Sequence, residues 1–320
     1  MKALITGGAG FIGSHLTASL LEQGWEVLVL DDLSAGRQIP PAQRERSRFH
    51  FIEGRCQDEA LLRDAVRGSQ VIFHLAAIVG VKRVLASPLK TLVDNHAMTE
   101  CLFDSALRQG TPVFLASSSE VYGKSRDLPL SEDGDLVLGA PTRGRWAYAA
   151  AKIASEHLAI GMCREHGLKV VIGRIFNTTG PGQQSTSGMV VPTFVHQALS
   201  EKPLTIIGDG RQSRCFTHVS DVVRALTGLM AQPDLYGEIF NIGSDQPTSI
   251  NALAQKVLEA TGSTSRLQHL DQRSMGRNFE EIEHRRPDAG KIERAIGWTA
   301  ILEIDDIIRE TIAFQTGERV

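Results

Sequence analysis

A chain of 320 residues with 42% hydrophobic and 22% charged side chains has ample material for a large core, and that balance excludes disorder as its ground state. The formal charge of −3 provides no basic field for nucleic acid or an anionic membrane, so any phosphate must be held by local groups. Its four cysteines, Cys56, Cys101, Cys163 and Cys215, contain no CxxC pair, which points to neither a zinc site nor a disulfide framework but to reduced thiols. The opening MKALITGG is too short an apolar run for a signal peptide or membrane span, and a cytoplasmic location is expected.

In chain order, Ala3 to Thr6, Val27 to Leu30, Val71 to Leu75 and Val113 to Ala116 read as strands. Between them, Ile12 to Gln23, Glu59 to Val66 and Leu92 to Arg108 carry apolar residues at helical spacing. Strands of Val, Ile and Leu without polar alternation are those of a parallel sheet covered on both faces, so the expected fold is a doubly wound α/β sheet of the Rossmann type. A helix over Ala147 to His166 and a strand over Lys169 to Ile175 continue it, before NTTGPGQQSTSG reads as a long loop. We expect residues 1–176 to form a dinucleotide-binding domain, with 216–243 returning to it. Residues 177–320 are then a smaller α/β substrate-binding domain.

Thr6-Gly7-Gly8-Ala9-Gly10-Phe11-Ile12-Gly13 follows the first strand and opens the first helix. Gly7, Gly10 and Gly13 have the spacing of a pyrophosphate-binding turn, with Phe11 and Ile12 in the helix N-terminus that completes the cradle. The second strand ends in Asp31, where a carboxylate accepts from a ribose diol and repels a 2′-phosphate, so NAD is preferred to NADP, although Arg37 is near. Asp58 reads either as an adenine contact or as a helix N-cap. Tyr148 and Lys152, four apart, share one helix face, and Ser118 follows a strand at the carboxyl end of the sheet. A phenol beside an ammonium, itself near the positive nicotinamide, should ionise more easily and act as a base on a hydroxyl held by Ser118.

TGGAGFIG, HLAA at 74–77, SSSEVYG at 117–123 and YAAAK at 148–152 together resemble the extended short-chain dehydrogenases that act on nucleotide sugars. The likeness continues through RIFNTTGPG, FTHVSD, FNIGS and the terminal RRPDAGKIERAIGW. It implies NAD as cofactor, a nucleotide-diphosphate-sugar as substrate, most often UDP-linked, oxidation at sugar C4 as the first step, and a homodimer. By motif, Asn177 and Arg214 would hold the nucleotide sugar, and Asn95, placed after a Val93-Asp94 turn, would organise an active-site water. Family dehydratases carry an acid where Ser119 stands here, which argues against 4,6-dehydration.

A UDP-sugar 4-epimerase requires only Ser118, Tyr148, Lys152 and held NAD, and this reaction is placed first. The alternative is a UDP-glucuronate decarboxylase, whose glutamate and arginine flanking the uronate carboxylate match Glu120 and Arg285, supported by the phrases LVLGAPTRGRWAYAAAK and EHRRPD. Ser118 in place of a threonine, and Gln184 where uronate epimerases carry arginine, depart from these patterns. A noncatalytic dinucleotide-binding module is the lesser alternative, disfavoured by the retained tyrosine and lysine.

Overall fold

In the computed structural model, residues 1–36, 39–185, 188–271, 280 and 282–318 are described. Six strands, β1 (Lys2–Thr6), β2 (Glu26–Asp31), β3 (Phe49–Glu53), β4 (Val71–His74), β5 (Val113–Ser118) and β6 (Val170–Ile175), join the edge strand Ile239–Ile242 in a seven-stranded sheet. From that edge the order is Ile239–Ile242, β6, β5, β4, β1, β2, β3, and every pairing is parallel. The chain winds outward from β1 through β2 to β3, then restarts beside β1 with β4. The crevice between the ends of β1 and β4 is therefore the switch point at which such sheets bind ligands.

Both faces are covered, as the unalternating apolar strands require. On one face, Ile5, Val27, Val29 and Phe114 pack with Leu16 and Leu20 of the helix Phe11–Glu22 and with Val222 and Leu226 of the helix Val219–Met230. On the other, Leu4, Leu28, Ile72 and Leu115 pack with Leu102, Phe103 and Ala159 of the helices Pro88–Gln109 and Trp146–His166. A separate cluster built on Phe194, Leu204, Leu253 and Ile307 unites the helices Val190–Leu199, Ile250–Thr261 and Ile304–Thr316 over the paired strands Leu204–Ile207 and Leu267–Leu270.

Two expectations are corrected. The helix expected from Leu92 begins at Pro88, whose fixed φ suits a first helical position, so Val93 and Asp94 lie inside it rather than in a turn. The stretch read wholly as loop contains Thr178–Thr179, which pairs in parallel with Thr217–His218. Asp221 secures the later segment: its Oδ2 accepts the amides of Ile301 (2.9 Å) and Leu302 (3.0 Å), while its backbone oxygen accepts Trp298 Nε1 at 2.9 Å.

Leu226 is fully buried between the helix Val219–Met230 and the sheet. Leu226→Ala should therefore lower unfolding free energy by about 2–5 kcal/mol. Urea denaturation measures this, and a loss under about 0.5 kcal/mol, typical of a surface change, would place the segment outside the core.

Candidate active site

The Gly-rich turn leaves β1 by a path that only glycine accommodates. Gly7 has φ +74°, and a Cβ there would lie 2.6 Å from the Ala76 amide nitrogen; one on Gly13 would lie 2.4 Å from the Gly7 carbonyl oxygen. Gly10 stands at the N-cap of the helix Phe11–Glu22 with no side-chain cap, and the first turn, containing Phe11 and Ile12, carries no acid. The helix thus presents its positive end to the β1–β4 crevice.

Asp31 closes the turn from the side. Its Oδ2 accepts the Ala9 amide at 3.0 Å and its Oδ1 accepts the Leu33 amide at 2.8 Å. Each carboxylate oxygen retains a lone pair for a hydroxyl. Burial raises the Asp31 carboxyl, and these two amides oppose that rise. Arg37 lies outside the described residues. Asp58 is exposed and caps the helix Glu59–Val66, accepting the Leu61 amide at 3.1 Å. That is the second of the two roles considered for it.

Asn95 is buried and grips Ile78 at both ends, accepting its amide at 2.7 Å and donating to its carbonyl at 3.1 Å. It pins the HLAA loop to the helix Pro88–Gln109. His74, at the end of β4, is fully buried between Thr6 Oγ1 (2.7 Å) and Thr99 Oγ1 (3.3 Å). Burial and the nearby Lys152 push its pKa down to about 3, so it remains neutral.

Ser118, Tyr148 and Lys152 converge at the carboxyl end of β5. Lys152 is buried, its Nζ donates to the Ala116 carbonyl at 2.6 Å, and it lies 6.0 Å from the Tyr148 ring centroid. Burial lowers the Lys152 ammonium to about 8, with Glu156 opposing. In the protein alone, burial raises the Tyr148 phenol, the Glu120 carboxylate raises it further, and its hydrogen bond with Ser118 only partly offsets both. The Ser118 hydroxyl also accepts the Glu120 amide at 3.3 Å, capping the short helical turn Ser119–Tyr122.

Glu120 projects from that turn between two buried arginines. Arg285 Nη2 donates to its Oε1 at 2.7 Å and Arg145 Nη2 to its Oε2 at 3.3 Å, while Arg285 Nη1 reaches Ser119 Oγ at 3.3 Å. Burial alone would raise the Glu120 carboxyl, but Arg285 and then Arg145 outweigh it and hold the group ionised below the usual carboxylate range. Arg285 Nε is buried without a hydrogen-bond partner among the described residues. Arg214 lies beside Arg285 in register on adjoining short strands and donates to the Ser213 and Glu283 carbonyls at 2.7 and 3.2 Å. Asn177 Nδ2 donates to the Cys215 carbonyl at 3.3 Å, next to that strand.

Sequence reasoning did not single out Arg145 or the buried Glu156–Arg174 pair, whose Nη2–Oε2 distance is 2.8 Å. The available signals were a charge three residues before Tyr148, an acid one helical turn beyond Lys152, and an arginine inside the apolar strand VVIGRI.

A glycine cradle at the switch point, with Ser118, Tyr148 and the buried Lys152 converging beside it, is the arrangement of a dinucleotide-dependent enzyme. The chain belongs to the NAD dependent epimerase/dehydratase family, matched over residues 3–243. It is 36% identical to a UDP-N-acetyl-alpha-D-glucosaminuronate decarboxylase of Bacillus cytotoxicus, over 97% of this chain and 96% of that one. It is 33% identical to UDP-glucuronic acid decarboxylase 1 of Xenopus tropicalis, over 98% of this chain and 72% of that one. The structure of a UDP-glucuronic acid 4-epimerase from Bacillus cereus superposes with a TM-score of 0.89 at 26% identity, over 99% of both chains.

The residues fit the family's cofactor, because Cβ atoms on Gly7 and Gly13 would strike the backbone of Ala76 and of Gly7–Gly8, and a pyrophosphate-binding turn needs that close backbone packing. Gly13→Ala should consequently reduce NAD affinity by at least about ten-fold, measured by calorimetry on the purified protein. Unchanged affinity would show that the turn does not serve a dinucleotide.

Proposed function

We propose that this enzyme is an NAD-dependent decarboxylase of a UDP-linked hexuronate, and the observation that carries the reading is the pairing of Glu120 with Arg285 and Arg145 beside Tyr148. A 4-epimerase, placed first on sequence, needs no such charges. A substrate carboxylate does, since a buried arginine aligns it while an ionised glutamate fixes the arginine's orientation. Two relatives named as UDP-hexuronate decarboxylases support the same reading, and the UDP-glucuronic acid 4-epimerase neighbour supports a uronate substrate. Ser119, with no carboxyl group, leaves the dehydratase reading without its acid.

NAD, when bound, would supply the hydride acceptor for C4 and the store from which that hydride is returned. Ser118 positions the C4 hydroxyl and Tyr148 takes its proton. The resulting 4-keto acid is a β-keto acid, so its C5–C6 bond breaks with the electron pair passing to an enolate at C4–C5, and the carboxyl carbon leaves as CO2. A proton then adds at C5, and Tyr148 returns its proton to the C4 oxygen. The balance is one uronate and one proton consumed, one pentose and one CO2 formed, with the cofactor unchanged. Lys152, anchored on the Ala116 carbonyl, favours the phenolate by its charge. Arg285 aligns the carboxylate, and fixed charges near the enolate stabilise it.

Asn177 and Arg214 are assigned to the nucleotide diphosphate, and Asp31 to the ribose. The domain division at 176, with 216–243 returning, belongs to the same proposal. So does a homodimer, supported by the exposed Leu89, Leu92 and Val93 on the helix Pro88–Gln109. A cytoplasmic location accords with the free thiols of Cys56, Cys101, Cys163 and Cys215.

Incubation with UDP-hexuronates should release CO2 and yield a UDP-pentose by mass spectrometry, and Arg285→Met should cut that rate by about 10²–10³-fold. A product of unchanged mass would instead indicate epimerisation. Arg285→Met turning over at the wild-type rate would remove the carboxylate assignment.

A further inference from the structure

The SSSEVYG and FNIGS motifs each contain a buried polar residue that the reaction above does not use, and the structure joins the two. Tyr122 closes the helical turn that carries Glu120, and its hydroxyl donates to Asn241 Oδ1 at 2.7 Å. Asn241, on the edge strand, is fully buried and forms hydrogen bonds in every direction. Its Nδ2 donates to the carbonyls of Leu130 (2.8 Å) and Asp288 (3.1 Å), and its amide donates to Glu132 Oε1 at 2.7 Å. Leu130 is itself paired with the segment after Arg285, donating to the Arg286 carbonyl at 2.8 Å and accepting the Asp288 amide at 2.9 Å.

A continuous chain of buried hydrogen bonds therefore runs from the turn bearing Glu120 to the segment bearing Arg285. It is also tied to the hydride-transfer side. The Arg174 guanidinium lies 4.8 Å over the Tyr122 ring and donates to Glu156, one helical turn beyond Lys152, while Ser117, next to Ser118, donates to the same carboxylate. Buried polar networks of this kind are costly to leave half satisfied, and once satisfied they hold one geometry.

We propose that Tyr122 and Asn241 are positioning residues that hold the Glu120–Arg285 pair in register with Ser118, Tyr148 and Lys152, so that the carboxylate is aligned at the carbon next to the one being oxidised. The inference rests on the decarboxylase reading. It divides the reaction in two: C4 oxidation depends on the Ser-Tyr-Lys side, and loss of CO2 depends on the alignment that the Tyr122–Asn241 bond maintains.

Tyr122→Phe removes only the hydroxyl and keeps the ring under Arg174. In single turnover with a UDP-hexuronate, the rate of cofactor reduction should change by less than about two-fold, while CO2 release and cofactor reoxidation slow by about ten- to hundred-fold. Reduced cofactor should then accumulate. Asn241→Asp, which keeps the acceptor for Tyr122 and removes the donors to Leu130 and Asp288, is the second arm and should give the same imbalance. Melting temperature and NAD affinity are read in parallel, because a merely structural role would lower the former without separating the two phases. Equal slowing of both phases, or neither slowing, would overturn the inference. Absence of CO2 from the wild-type enzyme would overturn the reaction reading itself and with it this coupling.

Discussion

The site depends on the removal from water of a phenol and an ammonium side by side, which disfavours the charged form of each. Burial raises Tyr148 and lowers Lys152 from 10.5 to about 8, a shift corresponding to roughly 3 kcal/mol. The surrounding fold supplies what keeps the pair usable. Ala116 accepts a hydrogen bond from the ammonium, Ser118 hydrogen-bonds the phenol, and Glu156 opposes the loss of the ammonium's proton. His74 remains neutral nearby, so it adds no second positive charge against Lys152. Further positive charge close to the phenol, such as an oxidised nicotinamide would bring, would favour its ionisation.

The carboxylate site is separate in chemistry and adjacent in space. Glu120 immediately follows Ser118-Ser119, so the loop that ends β5 serves both the hydroxyl and the ion pair. Its partners come from distant parts of the chain: Arg145 from the start of the helix bearing Tyr148, and Arg285 from a short strand paired with Ser213–Cys215. That arrangement accounts for the dependence on the later segment. Asp221 and Asn241 anchor it through buried hydrogen bonds, where a small displacement would be felt as lost alignment.

Much of the dinucleotide half was legible in the sequence, because its signals are local. Gly7, Gly10 and Gly13 lie within a single turn, Asp31 ends a strand, and Tyr148 and Lys152 share a helix face. Residues whose meaning depends on distant partners were harder to read. Arg174 in an apolar strand becomes intelligible only beside Glu156, and Arg145 only beside Glu120. Asn95 lies inside the helix Pro88–Gln109, and its grip on Ile78 is visible only in the fold. For the Tyr148 phenol, adjacency to lysine was legible in the sequence, whereas desolvation and the charge on Glu120 emerge only from the fold. The convergence of Glu120, Arg145 and Arg285, on which the decarboxylase proposal rests, is likewise a fact of tertiary structure that no local motif displays.

The most direct test of the account is proton removal by residue 148. With Tyr148→Phe, stopped-flow absorbance during single turnover should show no cofactor reduction above about one thousandth of the wild-type rate, while calorimetry shows NAD affinity unchanged within about two-fold. Reduction at the wild-type rate in that variant, with the cofactor bound normally, would contradict the assignment of the phenol as base.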